Sequence, residues 1–98
     1  MPVYRVRFLR ESELEALAAR RWYATRDPPA GQAFLRELER AIDEIRMAPR
    51  RWPLHPDGTR RYLLRRFPFF VVYREAGAEI VVVAVAHGRR RPGYWRSR

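Results

Sequence analysis

The chain opens on alternation. In PVYRVRFLR, Tyr4, Val6 and Phe8 fall on one side and Arg5 and Arg7 on the other, the period of two of a strand with one buried face. The period then lengthens. In SELEALAARRWYATR, Leu14, Leu17, Ala18 and Trp22 recur at helical spacing, which predicts a helix over about residues 13–25 with that stripe turned to the core. Ser12 followed by Glu15 is a capping-box pair, which satisfies backbone N–H groups orphaned at a helix start. RDPPAG interrupts the pattern. Proline is tolerated in a first helical turn, and Asp27 stands just before it at a good capping position. Phe34, Leu38, Ala41, Ile42 and Ile45 mark the apolar face of a second helix over about residues 29–47, with Pro49 just beyond its end. Two amphipathic helices across a six-residue break make an αα-hairpin.

The second half returns to strands. RRWPLHPDG is a loop with two prolines and an Asp-Gly turn. RYLLRR, FFVVYRE and EIVVVAVAH then read as three strands. Pro68, between Phe67 and Phe69, cannot donate to a ladder and belongs at a turn or bulge. Ala76-Gly77-Ala78 supplies the next hairpin. EIVVVAVAH does not alternate: residues 80–86 are apolar throughout, as in a strand covered on both faces or flanked on both sides. Its place is therefore mid-sheet, between the N-terminal strand and FFVVYRE. The order β-α-α-β-β-β, with a helical hairpin on one face of a largely antiparallel sheet, is an α+β two-layer sandwich. No repeat or linker divides it, so a single domain over residues 1–98 is expected.

Composition adds limits and a sign. With 47% hydrophobic and 33% charged residues in 98 positions, the chain has globular composition and room for one core. No stretch approaches the roughly 18 apolar residues of a membrane span, and MPVYRVRFLRE lacks a signal-peptide pattern. There is no cysteine, which rules out disulfides, thiolate chemistry and Cys-ligated zinc. A cytoplasmic protein is the expectation. The net charge is +10, and all 21 basic residues are arginine. GC-rich coding explains arginine in place of lysine, but not the excess over 11 acids. That excess favours an acidic or polyanionic partner, which such a field steers inward and which guanidinium groups grip in bidentate fashion.

Charge concentrates where the apolar strand ends. His87 stands there beside Arg89, Arg90 and Arg91, and its ordinary pKa of ~6.5 suits general acid–base work. A metal-free ribonuclease is one use of these residues. His87 is then the base, Arg65 or Arg90 stabilises a pentacovalent phosphate, and Tyr94 is the acid. The competing and favoured role for His87 is a hydrogen bond to a backbone carbonyl that fixes the exit angle of the tail. A second set comprises Arg60, Arg61, Arg65 and Arg66 with Arg89, Arg90 and Arg91. Strand alternation puts Arg61 and Arg65 on one face with Leu63, and Arg60 and Arg66 on the other with Tyr62 and Leu64. Tyr94 and Trp95 suit base stacking or a protein hot spot, and Trp95 has the alternative of folding back over the core. Trp52 and His55 read as core and loop residues. No spacing suggests a metal site, and no cofactor is expected.

Taken together, WYATRDPPAGQAFLRELERAIDEIRMAPRRWP and RRYLLRRFPFFVVYREAGAEIVVVAVAHGRRRPGYWRSR resemble the ParE/RelE toxin superfamily of bacterial type II toxin–antitoxin modules. The most telling parts are the AGQAFL helix, Pro-x-x-Trp-Pro, Arg-Phe-Pro-Phe-x-Val-Val-Tyr-Arg, and Ala-Val-x-His-x-x-Arg-x-Pro-x-Tyr-Trp. The resemblance implies a small helical hairpin on an antiparallel sheet, and a cytoplasmic growth-inhibiting toxin of a plasmid-stabilisation module, neutralised by an antitoxin encoded beside it. RelE-like members cut mRNA in the ribosome, commonly with lysine and arginine around a tyrosine, and this chain has no lysine. ParE-like members inhibit DNA gyrase by binding. The tail and RFPFFVVYR are more similar to the ParE branch, whose pattern also includes the histidine. The leading expectation is thus a non-enzymatic gyrase inhibitor with Arg61, Arg65, Arg89, Arg90, Arg91, Tyr94 and Trp95 on the target, and with Trp22 and Phe34 in the core or on the antitoxin. The alternatives are a RelE-like ribosome-dependent endoribonuclease using His87, Arg90 and Tyr94, and a plain basic nucleic-acid-binding domain.

Overall fold

The apolar run at 80–86 does occupy the middle of the sheet. In the computed structural model, which describes residues 4–98, the elements are β1 (Arg5–Phe8), α1 (Arg10–Arg26), α2 (Pro28–Met47), a 3₁₀ turn (Pro49–Arg51), β2 (Arg60–Leu63), β3 (Phe69–Ala76) and β4 (Glu79–His87). Pro2 and Val3, the start of the predicted first strand, lie outside the described residues. The sheet order is β1-β4-β3-β2. β1 runs parallel to β4, while β3 pairs antiparallel with both β4 and β2. Gly77, at φ 64°, carries the β3–β4 turn, a left-handed conformation that glycine adopts without steric penalty. Among the described residues no helix is long and apolar enough to cross a membrane.

Each face of the sheet has its own apolar cover. On the helix side, Val71, Tyr73, Ile80, Val82 and Val85 join Phe34, Leu38, Ala41, Ile42 and Ile45 of α2, with Tyr4, Val6 and Phe8 packed against them. Tyr62 and Leu64 are buried there too. On the outer side, Val72, Val81, Val83, Ala84 and Ala86 cluster under Trp95, with Leu9, Phe70 and Tyr94 at their margin. The pairings Val72↔Ala84 and Tyr73↔Val82 leave Val83 as an extra residue. This β-bulge adds local twist and turns both Val83 and Ala84 to the outer cluster. So β4 is apolar throughout because helices cover one face and the C-terminal segment covers the other.

Three local expectations fail, each for a physical reason. The capping box does not form. Leu9 continues the β1–β4 ladder by donating its N–H to the Val82 carbonyl at 3.0 Å, and α1 starts immediately afterwards with no side-chain cap. Ser12 is instead buried within α1, its hydroxyl 2.7 Å from the Leu9 carbonyl and 2.9 Å from that of Val82. The six-residue break between helices shrinks to Asp27 alone. Its N–H closes α1 on the Tyr23 carbonyl and its own carbonyl accepts from Ala30, while Pro28 and Pro29 fill first-turn positions that need no N–H. At this corner the helices touch closely: a Cβ on Gly31 would lie 2.6 Å from the Ala24 Cβ.

The third failure concerns which side of α1 is buried. Ser12 and Ala19 are buried and Ala16 and Tyr23 pack on the core, whereas Leu14, Leu17 and Trp22 are 52%, 41% and 53% exposed. Small residues let α1 approach β4, and the larger apolar stripe faces out.

Because Val83 is buried in the outer cluster with Trp95, Val83→Asp should prevent folding. An unpaired buried carboxylate costs several kcal/mol against a total stability of roughly 5–15 kcal/mol. A Val83→Asp protein that stays soluble and melts cooperatively by circular dichroism would contradict this packing.

Candidate functional site

β1 stops pairing at Val82, so the rest of that edge of β4 has no neighbouring strand. Side chains take over. Glu15, projecting from α1, accepts the Val85 N–H at 3.0 Å. Arg98 donates to the Val83 carbonyl at 3.1 Å and clasps Glu15 with both terminal nitrogens, at 2.8 and 3.0 Å. The Tyr94 hydroxyl donates to the same carboxylate at 2.6 Å. Arg90 approaches it at 3.4 Å and stacks its guanidinium 3.8 Å from the Tyr94 ring centroid.

One partly buried carboxylate thus joins α1, β4 and the C-terminal segment. Burial pushes the Glu15 carboxyl up, but the hydrogen bonds from Arg98, Tyr94 and the Val85 amide, with the charge of Arg98, outweigh it and hold the group below its ordinary value. The Tyr94 hydroxyl is pushed well above the usual phenol range, first by burial and then by its bond to Glu15.

A second carboxylate holds the same segment from the other side. Asp57 accepts the N–H and hydroxyl of Thr59 at 3.0 and 2.6 Å and the Trp95 indole N–H at 3.2 Å. Arg61 and Arg96 lie 3.9 and 4.0 Å away, and Arg61 sits 5.0 Å over the Trp95 ring. Burial opposes ionisation of Asp57, but the Thr59 and Trp95 donors and Arg61 keep its carboxyl below its ordinary value. The basic, aromatic tail is therefore a strap fastened at two points across the outer face of the sheet.

This arrangement sorts the expected site residues. Trp95 is 5% exposed, so its assignment to a target surface is corrected: the ring is spent covering Val72, Val81 and Ala84. Phe34 is 0% exposed, packed against Tyr23, Phe67 and Phe69, so it belongs to the core and not to an antitoxin groove. Trp22 remains open, with Arg26 stacked 3.7 Å from its ring centroid. Trp52 is half-buried against Tyr62. His87 stands where the tail leaves β4, and the expected bond to a backbone carbonyl is replaced by one from an amide. Nδ1 accepts the Arg89 N–H at 3.0 Å, its carbonyl accepts from Arg90, and Gly88 donates to the Pro68 carbonyl at 2.7 Å.

The arginines divide by their partners. Arg60 donates to the Trp52 carbonyl and Arg66 to Glu37, while Arg61 and Arg90 attend Asp57 and Glu15. Arg65, Arg89 and Arg91 are exposed, and among the described residues their side chains have no acidic partner. Pairing of Leu63 with Phe70 and of Phe69 with His87 brings all three to the same end of the sheet. Beside that end, between α1 and β4, opens a cleft of about 390 Å³ whose lining includes Trp22, Tyr23, Phe69, Val85, His87 and Arg90. Local sequence pattern gives Arg98 and Asp57 no site role and points Glu15 to a helix cap, which the fold replaces with the contacts above. Only the fold shows that these residues meet.

Glu15→Ala should destabilise the protein by about 1–3 kcal/mol, the cost of losing charge-assisted hydrogen bonds and leaving the Val85 amide unpaired, while Glu13→Ala on the exposed side stays within about 0.5 kcal/mol. Since the folded state lowers the Glu15 pKa, its contribution is full above the unfolded value of about 4.3 and fades as pH falls through the folded value. Urea unfolding between pH 7 and pH 3 should show a shallower acid loss in Glu15→Gln. Glu37 and Asp57, also lowered, keep that loss above zero.

The family model for the ParE toxin of type II toxin–antitoxin systems, parDE, matches residues 6–92. A solved structure described as a chromosomal ParDE toxin–antitoxin system from P. aeruginosa has a TM-score of 0.75, covering 89% of this chain and 98% of that one at 16% identity. At that identity the likeness concerns the fold alone. No curated protein matches the sequence. A family match over residues 6–92, nearly the whole chain, makes this protein a member of the ParE toxin family of type II toxin–antitoxin systems.

Proposed function

We propose that this ParE-type toxin arrests growth by binding DNA gyrase through the basic end of its sheet, and that a cognate antitoxin neutralises it. Its site of action is then the cytoplasm. The observation that carries this reading is the state of Arg65, Arg89 and Arg91, which are exposed at one end of the sheet and have no acidic partner among the described residues. Free guanidinium groups clustered at one end of a sheet suit recognition of carboxylates or phosphates. The residues a nuclease would need are less free. The Tyr94 proton is committed to Glu15, and His87 Nδ1 to the Arg89 amide.

A RelE-like ribonuclease has one observation in its favour: His87 and Arg90 both line the cleft. The two readings separate by mutation. Arg89→Ala with Arg91→Ala should weaken inhibition of gyrase supercoiling by about tenfold or more, since each removes a charged donor from the contact. His87→Ala, checked for an unchanged melting temperature, should keep most of the inhibition. A nuclease losing its base drops by about 10²–10⁴-fold. If wild type leaves gyrase untouched and cleaves ribosome-bound mRNA, and His87→Ala loses that cleavage, the gyrase reading is wrong. Tight binding to bare duplex DNA with neither activity would favour a plain nucleic-acid-binding domain.

A further inference from the structure

The cleft between α1 and β4 has no role in the gyrase reading. Its lining joins three aromatic rings, those of Trp22, Tyr23 and Phe69, to Glu15, His87 and Arg90. At about 390 Å³ it has the size and character of a small-molecule site, apolar walls with a few convergent polar groups. Those polar groups offer donors only. Glu15 is spent, because its two oxygens already face five donors, from Val85, Arg90 and Tyr94 and twice from Arg98. A carboxylate has about four lone-pair sites. Arg90 is the surplus donor, since its 3.4 Å contact is the longest of the five. Arg98 already balances the Glu15 charge at 2.8 Å, so the charge of Arg90 is left over. His87 is also a donor: its Nδ1 accepts the Arg89 N–H, which leaves the ring proton on Nε2. Among the described residues Nε2 has no partner.

We propose that this cleft is a small-molecule site for an aromatic monoanion, a flat ring system bearing one carboxylate. The ring system lies among Trp22, Tyr23 and Phe69, where edge and stacked contacts between rings add to the burial of apolar surface. The carboxylate accepts from Arg90, which exchanges its long contact with Glu15 for a charge-assisted pair, and from the Nε2–H of His87. Each property of the ligand answers a property of the cleft. An apolar side chain from a protein partner would fill the walls but leave both donors unmet, and unmet donors are costly once water is excluded. A cation would meet the charge of Arg90 and that of Arg26, stacked 3.7 Å from the Trp22 ring centroid. A phosphate dianion would bring more charge than the one surplus guanidinium lining the cleft can neutralise. The flat body follows from three aromatic walls, and the single carboxylate from the single spare charge.

The test is an NMR titration of the full-length chain with 2-naphthoate and, separately, with its neutral isostere 2-naphthamide. The acid should bind saturably with a Kd of about 1 mM or below, the scale expected for a ligand of this size. Its amide shifts should centre on Trp22, Tyr23, Val85 and Arg90. The neutral amide should bind wild type roughly tenfold more weakly, and Arg90→Ala should weaken the acid by a similar factor, the scale of one lost charge-assisted hydrogen bond. Because Arg90 also touches Glu15, a second variant leaves that network alone. Ala18→Phe, at an exposed position of α1 that lines the cleft, should fill the space and abolish binding of the acid, with melting curves checking each fold. Absence of saturable shifts up to about ten times the expected Kd would overturn the site, as would shifts centred elsewhere or undiminished binding to folded Ala18→Phe. Equal binding of acid and amide would also overturn it, leaving a plain apolar cleft suited to a partner's side chain.

Discussion

The structure hangs on how one edge of its central strand is satisfied. β1 accompanies β4 only as far as Val82, and beyond that point the backbone of Val83 and Val85 needs partners that no strand supplies. Buried backbone groups left unpaired cost free energy comparable to a lost hydrogen bond each. Glu15 answers the Val85 amide and Arg98 the Val83 carbonyl, and the two side chains then neutralise one another. Because Arg98 comes from the far end of the chain, the same pair draws the C-terminal segment over the outer face. Trp95 is thereby laid on an otherwise bare apolar cluster. A chain with ten excess positive charges uses two of its few acids, Glu15 and Asp57, to fasten its own basic tail.

That economy of acids shapes the functional surface. Arginines near Glu15, Glu37 and Asp57 are structural, Arg7 and Arg50 pair with Glu79 and Glu75, and at the end of the sheet Arg65, Arg89 and Arg91 have no acidic partner among the described residues. Position relative to the carboxylates, more than the count of arginines, decides which cations stay open to solvent. The free ones gather where β2 and β4 end and the tail begins. The apolar surface divides in a similar way, since α1 turns small residues inward and its leucines and tryptophan outward. The outcome is two neighbouring but chemically distinct faces, one basic and one apolar, meeting at Arg90 and the cleft.

Much of this was legible in the sequence. Alternation in Tyr4, Val6 and Phe8, the apolar face of α2, and the unbroken run in β4 each report a local geometry, so the element order and the central place of β4 followed from periodicity. The orientation of α1 did not. Periodicity shows that an apolar stripe exists, but a helix pressed against a strand selects small residues for contact, and Ala16 and Ala19 carry a weaker signal than Leu14 and Leu17. Ser12 and Glu15 have the right spacing for a cap, yet both are claimed by β4, some 70 residues away. A pairing between Glu15 and Arg98 leaves no local trace at all. For the site, the arginine-rich end was visible as composition, while the commitment of Trp95 to the outer face depends on Asp57 and on the fold around it.

The central claim is that Glu15 and Arg98 act as one unit holding the strap to the strand. A double-mutant cycle with Glu15→Gln, Arg98→Met and the combined variant, read by urea unfolding at pH 7, measures their coupling directly. The structure predicts a coupling of about 1–3 kcal/mol, the range for groups sharing one hydrogen-bond network. Single effects that add to within about 0.3 kcal/mol would contradict it.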